Sequence, residues 1–239
     1  LSCYRLVLGT MNEDRPLRIL LSGHGHFGRP HAMVWRKLAE ENVASLIGIV
    51  VNSDASRDRL ATETNVPVYR GLDGVSFTGI DAVDIVTPTA THFALVNRIL
   101  PHAHILVEKP LAATSTEAET LAWLATNASN VLAVGHVYRF HPVIRALREL
   151  TAEIPGPPQV IFGTMLHPAG EALPAADARM VMLHWLYVID LLLGVAPSMC
   201  SALRQNNAVT ASLQYPLPSG GGHTNAVLRP VMVKVATEV

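Results

Sequence analysis

An acid, a base and a proline close an apolar run: Ile105, Leu106 and Val107 lead into Glu108, Lys109 and Pro110. Such a run reads as a buried strand, and the proline ends it because it has no N–H to give to a ladder. Taken alone, the triplet is an ordinary solvated strand end. Lysine chemistry allows more. A cation beside a carbinol oxygen in a dry crevice stabilises developing alkoxide more strongly than it would in water. Oxidising a secondary alcohol also needs a hydride acceptor, which a nicotinamide supplies and side chains do not. A lysine with that task requires a cofactor site elsewhere in the chain.

A candidate for that site lies near the N-terminus. Leu17–Leu21 reads as a strand, and Gly23, His24, Gly25, His26, Phe27 and Gly28 follow in G-x-G-x-x-G spacing. A helix is expected from Pro30 to Glu41, with Ala32, Val34, Trp35 and Leu38 on its apolar side. In a strand–turn–helix unit the first glycine permits the tight turn, the second admits a pyrophosphate and the third lets the helix pack. The helix N-terminus adds free N–H groups and partial positive charge. The spacing alone also fits a purely structural turn; its place between first strand and first helix favours a dinucleotide. An acid that reads the ribose is expected about 20 residues on. There the strand end carries Asn52 and Ser53, with Asp54 late and Arg57 and Arg59 nearby, so NAD and NADP both stay open. A solvated turn accounts for the two arginines equally well.

The elements that must position these residues alternate. Strands are expected at Leu46–Val51, Val66–Tyr69, Ala82–Thr87 (closed by Pro88), Ile105–Val107 and Val131–Gly135. Helices fall at Arg57–Thr64 and His92–Leu100, and a further one starts from a Thr114/Glu117 capping box with Leu121, Trp123 and Leu124 as its apolar contacts. Continuous apolar strands joined by helices make a parallel sheet covered on both faces. The expectation is an α/β chain opening with a Rossmann-type, doubly wound sheet. A helix around Val143–Leu150 follows, and Pro155–Gln159 breaks the chain. Beyond it come a strand at Gln159–Leu166, an apolar helix ending at Gly194, and strands at Ser198–Ala202, Thr210–Tyr215 and Ala226–Val235. The domain boundary is placed at 137/138, giving a dinucleotide-binding domain over 11–137 and a partial α+β domain over 138–239. Residues 1–10 read as a leader before a natural start at Met11.

Composition removes several classes. With 49% hydrophobic and 15% charged residues, the chain is not disordered. A formal net charge of -1 offers no field for nucleic acid or an anionic membrane. Met180–Leu193 is short for a bilayer and carries His184 and Asp190, which fits a buried helix. Two cysteines make no disulfide framework, and a cytoplasmic home is expected. Eleven histidines include His24/His26 and His102/His104, but neither pair has further ligands at metal spacing, and no metal is expected.

Four segments together, GHGHFG, DAVDIVTPTATHFALVNRIL, HILVEKPLA and VGHVYRFHP, make the chain from about Leu17 to Val195 resemble the Gfo/Idh/MocA oxidoreductase family. The resemblance implies a second domain built on an open, mostly antiparallel sheet. It implies that Lys109 contacts the reacting oxygen of a substrate beside the nicotinamide, that Glu108 holds that region, and that Pro110 sets the loop. It puts Thr87, Pro88, Thr89 and His92 near the cofactor and Arg139 at the seam between domains. The family's Asp-x-Gly-x-His segment, anchored here on Asp190 and Gly194, places Tyr187 at the histidine position and Leu183 at the aspartate position. His184 lies one turn before Tyr187 on the same helical face. Tyr187 and Lys109 would then form an acid/base pair, with His184 and Asp190 in support. A core tyrosine in a decayed site is the competing reading, because Leu183 orients nothing. Family members continue past the strands seen here, so the resemblance implies a chain short at its C-terminus and a homo-oligomer formed through the C-terminal sheet. The expected function is NAD(P)-dependent hydride transfer to or from a sugar, cyclitol or related small alcohol or carbonyl compound. The alternative is an inactive NAD(P)-binding sensor of the same family.

Overall fold

The computed structural model describes residues 15–153, 160–168, 175–205, 208–216 and 223–233. The expected leader, the start at Met11 and residues 155–159 of the expected chain break lie outside them. Two compact units divide between Gly135 and His136.

In the first unit, strands β1 (Leu17–Ser22), β2 (Ala44–Val51), β3 (Val68–Arg70), β4 (Ala82–Ile85), β5 (His104–Val107) and β6 (Leu132–Val134) form one sheet in the order β3-β2-β1-β4-β5-β6. Every pairing is parallel. Consecutive Ile19, Leu20 and Leu21 are all at most 1% exposed, so β1 is covered on both faces, as a central parallel strand must be. The covering helices are α1 (Gly28–Glu40), α2 (Asp54–Glu63), α3 (His92–Ile99) and α4 (Ser115–Thr126). The chain winds outward from β1 through β3, then returns to β4 and winds the other way. That reversal opens a crevice at the carboxyl ends of β1 and β4, where ligands of such sheets bind.

Local chemistry sets the helix starts. Ser53 Oγ accepts the Ser56 N–H at 3.3 Å, so α2 begins at Asp54 rather than at the expected Arg57. The Thr114/Glu117 capping box closes as expected, with both reciprocal bonds at 3.2 Å. Two apolar positions differ from the expected faces: Val34 is 57% and Trp123 65% exposed. Each lies two residues past a buried one, Ala32 and Leu121, hence about 200° around the helix. The β4 ladder ends at Ile85, short of Thr87, and a 3-10 turn at Thr89–Thr91 leads into α3.

The second unit contains α5 (Pro142–Glu153), β7 (Val160–Pro168), α6 (Ala175–Leu193), β8 (Met199–Gln205), β9 (Ala208–Pro216) and β10 (His223–Val233). Its sheet runs β7-β10-β9-β8, with β7 and β10 parallel and the other pairs antiparallel. On β9, Ala211, Leu213 and Tyr215 are buried while Ser212 is exposed. This period of two marks a sheet with one covered face. Ile189 of α6 packs with that face and with Ala226 of β10.

Candidate active site

β1 delivers the glycine loop to the crevice. Gly23 has φ +102, and a Cβ there would collide with the Val86 carbonyl at the end of β4. A Cβ on Gly28 would collide with the Gly23 carbonyl. These two glycines are fixed by packing. Gly25 differs: a Cβ there would meet nothing within 4 Å, so its backbone borders open space. α1 starts at Gly28 with no side-chain cap and no acid in its first turn. An approachable backbone at an uncapped helix N-terminus fits a dinucleotide diphosphate. His24 is part-buried in this loop, and its imidazole is held low by burial first and then by Arg29 and Arg59. His26 and Phe27 are exposed and meet edge to face.

The end of β2 bears Asn52, exposed, and Ser53, whose hydroxyl is taken up as the α2 cap. No carboxylate occupies the strand end itself. Arg57 is bound by Asp58 at 2.8 Å and by Asp54 at 3.0 Å.

β4 and β5 end beside one another, and His92 brackets their loops. This ring is 1% exposed, with Nδ1 2.9 Å from the Pro110 carbonyl and Nε2 2.9 Å from the Thr87 carbonyl. The Thr87 and Thr91 hydroxyls bond at 2.7 Å. Pro88 is exposed and Thr89 half-buried. Lys109 follows β5 directly, half-buried, and the Lys109–Pro110 peptide is cis. Among the described residues no hydrogen bond or ion pair holds its amine.

Glu108 is anchored from two sides. One carboxylate oxygen, Oε2, accepts the Lys109 N–H at 3.2 Å, and the other lies 3.4 Å from His31 Nε2. Gly135 at the end of β6 leaves it room, since a Cβ there would sit 3.0 Å from Oε1. On its other side His31 Nδ1–H donates to Asp84 Oδ2 at 2.8 Å, and Trp35 Nε1–H donates to the same oxygen at 2.6 Å. The bond to Asp84, then that to Glu108, push the His31 imidazole up to about 10 against burial. Burial pushes the Glu108 carboxyl up, but His31 and then Lys109 outweigh it and hold it low. His31, Trp35 and Asp84 were not among the expected site residues. The available signal was Asp84, a carboxylate inside an apolar strand, which burial obliges to find partners.

The second unit gathers the remaining candidates around α6. His184 Nδ1 and Tyr187 Oη lie 2.6 Å apart, as their one-turn spacing implied. Tyr187 is 4% exposed, accepts the Tyr138 N–H at 3.4 Å and stacks on His136 with centroids 4.2 Å apart. Asp190 lies within electrostatic reach of Arg139 and Tyr215. Burial raises its carboxyl, with Arg139 opposing, and burial followed by Asp190 raises the Tyr215 phenol. Asp190 and Tyr215 are coupled without a well-formed hydrogen bond, for Asp190 Oδ1 and Tyr215 Oη have no partner among the described residues. Arg139 itself is exposed.

Comparison with known proteins places this geometry. Residues 17–136 match the family model GFO_IDH_MocA, described as an oxidoreductase family with an NAD-binding Rossmann fold. The UDP-N-acetylglucosamine 3-dehydrogenase of Acidithiobacillus ferrooxidans is 32% identical over 183 residues, covering 76% of this chain and 56% of that protein. A solved structure of that dehydrogenase superposes with TM-score 0.74 at 30% identity, covering 93% of this chain and 71% of the other. The D-xylose 1-dehydrogenase [NADP(+)] of Haloarcula marismortui is 28% identical over 69% of this chain and 47% of its own length. The chain thus spans about half the length of these curated relatives. At the level of fold alone, the Lactobacillus casei scyllo-inositol dehydrogenase solved with NAD(H) and scyllo-inositol matches at TM-score 0.75 and 19% identity, covering 92% of this chain and 71% of that one. The matched stretch spans both the glycine turn against Val86 and the Glu108-Lys109-Pro110 segment, and it covers half of the chain: the chain belongs to the Gfo/Idh/MocA oxidoreductase family.

Proposed function

We propose that this chain carries the catalytic core of an NAD(P)-dependent dehydrogenase acting on a secondary hydroxyl of a sugar, cyclitol or nucleotide-linked sugar. The placement of Lys109 supports this most. Lys109 is half-buried, with no hydrogen bond or ion pair to its amine among the described residues, at the end of a strand one place from the switch-point crevice. The Gly23–Gly28 loop and the α1 N-terminus would hold the diphosphate, Asn52, Ser53 and Arg57 would face the ribose, and Thr87–Thr89 would border the nicotinamide side. Bound there, the nicotinamide would exchange hydride with the substrate carbon. Lys109 stabilises the oxygen left on that carbon, and Glu108 keeps the lysine backbone in place. His92 holds the two loops that frame the crevice. Tyr187, bonded to His184, is the second group able to give or take a proton.

The first unit is the dinucleotide domain, and the second supplies substrate contacts and a sheet for homo-oligomer formation. The protein works in the cytoplasm. A cofactor-binding sensor without turnover is the second reading, favoured by Leu183, which cannot orient an acid/base partner. Quenching of NADH and NADPH fluorescence tests binding. Reduction of NAD and NADP with UDP-N-acetylglucosamine, D-xylose and scyllo-inositol tests turnover. Binding with turnover that Lys109→Ala abolishes is the expected result. Binding with no turnover on any of the three favours the sensor instead, and no binding of either cofactor refutes both.

A further inference from the structure

We infer that His31 is a positioning residue for Lys109: by bridging Asp84 and Glu108, it ties the first turn of the dinucleotide-loop helix to the backbone that presents the lysine. The inference rests on the reading that Lys109 acts at the reacting oxygen. Three elements meet at this ring. His31 comes from the first turn of α1, Asp84 from the interior of β4, and Glu108 from the end of β5. The neighbours set its chemistry: Asp84 Oδ2 takes one ring N–H at 2.8 Å and Glu108 Oε1 lies at ion-pair distance, 3.4 Å, from the other nitrogen, so a carboxylate faces each nitrogen and favours the doubly protonated ring. The imidazolium then neutralises one of two neighbouring anions in a part-buried place, where an unpaired carboxylate is costly. The raised His31 titration, to about 10, agrees with that state.

The consequence runs along the chain. Glu108 holds the Lys109 amide through its second oxygen, so a Glu108 released from His31 loses the orientation that fixes this amide. The charged groups facing His31 are Asp84 from β4 and Glu108 from β5, with the Lys109 amine next in line; from its own helix Trp35 braces Asp84. The same helix turn borders the diphosphate loop. Phosphate recognition and lysine placement thus share one ionic link.

Histidine side-chain 15N spectra of the full chain test the link without substrate. At pH 8.5 the wild type is expected to retain a doubly protonated imidazole that is assigned to His31 by its absence in His31→Gln and that deprotonates at lower pH in Glu108→Gln. In His31→Gln the Lys109 amide should exchange with solvent about tenfold faster or more, while the Leu20 and Leu21 amides of β1 keep their rates. Cofactor affinity by fluorescence should stay within about threefold. On whichever sugar the wild type oxidises, kcat should fall about tenfold with KM nearly constant, and His31→Lys should recover part of it. If the wild type oxidises none, the proposed function fails, yet the 15N signal and the Lys109 amide still decide this inference. It is overturned if the His31 ring is not doubly protonated at pH 8.5, or if the Lys109 amide is unaffected. Equal acceleration of the β1 amides also overturns it, because His31 would then serve overall stability alone.

Discussion

In the first unit the buried Asp84 carboxylate is met by Trp35 and His31, and Glu108 by His31 and its own neighbouring amide. In the second unit Asp190 Oδ1, Tyr215 Oη and Trp185 Nε1 are buried with no hydrogen-bond partner among the described residues. The first unit has its own exceptions in His24 Nδ1 and Asp84 Oδ1, but its Asp84 and Glu108 carboxylates are paired across elements. The difference lies in what sets geometry. Carbonyls, glycines and an ionic bridge fix the strand ends of the Rossmann unit. Aromatic stacking and one short phenol–imidazole bond order the α6 cluster of the other. Paired charge is directional and pre-organised; stacking is forgiving and permits exchange of residue type. The α6 cluster should therefore tolerate exchange of residue type more readily than the Glu108-Lys109-Pro110 segment.

Five tests probe this contrast, the largest effect first. Lys109→Ala should cut kcat by about a hundredfold or more while cofactor fluorescence titrations change little, as steady-state kinetics would report. The glycine pair comes next. Gly23→Ala should destabilise by on the order of 3 kcal/mol through its positive φ and the clash with Val86, seen as a large drop in Tm. Gly25→Ala should leave Tm nearly unchanged and weaken NADPH binding instead, because its Cβ would fill only open space. Equal melting of the two variants would break the distinction between a packing glycine and a ligand glycine.

Tyr187→Phe deletes the bond to His184 and should lower kcat by about tenfold with a stability loss of about 1 kcal/mol. A loss of stability alone would make Tyr187 a core residue and favour the sensor. The fourth test uses pH. His31 is raised from 6.5 to about 10, so its contribution to folding is complete below pH 6.5 and is lost as pH climbs through 10. Wild-type Tm should decline over that window, and His31→Gln should flatten the decline. The smallest effect concerns Asp190. Its carboxyl is raised by burial, so the folded chain prefers it protonated and loses stability as pH rises above the ordinary 3.8. Asp190→Asn should therefore raise Tm at neutral pH by about 1–2 °C. A fall instead would show that the electrostatic attraction of Arg139 outweighs burial.

Patterns confined to a few neighbouring residues were legible in the sequence. The glycine spacing, the Thr114/Glu117 box, the apolar strands and the one-turn relation of His184 to Tyr187 each depend on contacts within a single element or turn, where backbone geometry is nearly fixed. Apolar helix faces were harder. Val34 and Trp123 look like core residues in composition, but two positions past a buried residue a helix has turned away. The α2 start at Asp54 depends on Ser53 acting as its cap, which the polar run around it does not single out.

The sequence by itself determined that six apolar strands alternate with helices, that a glycine loop follows the first of them, and that a lysine ends the fifth. Only the tertiary structure decided which charges face one another. His31, Asp84 and Glu108 lie on three different elements, and no local period links them. Their meeting depends on the order in which parallel strands pair and on which helix covers them. A buried carboxylate announces that it needs a partner; the fold chooses which one.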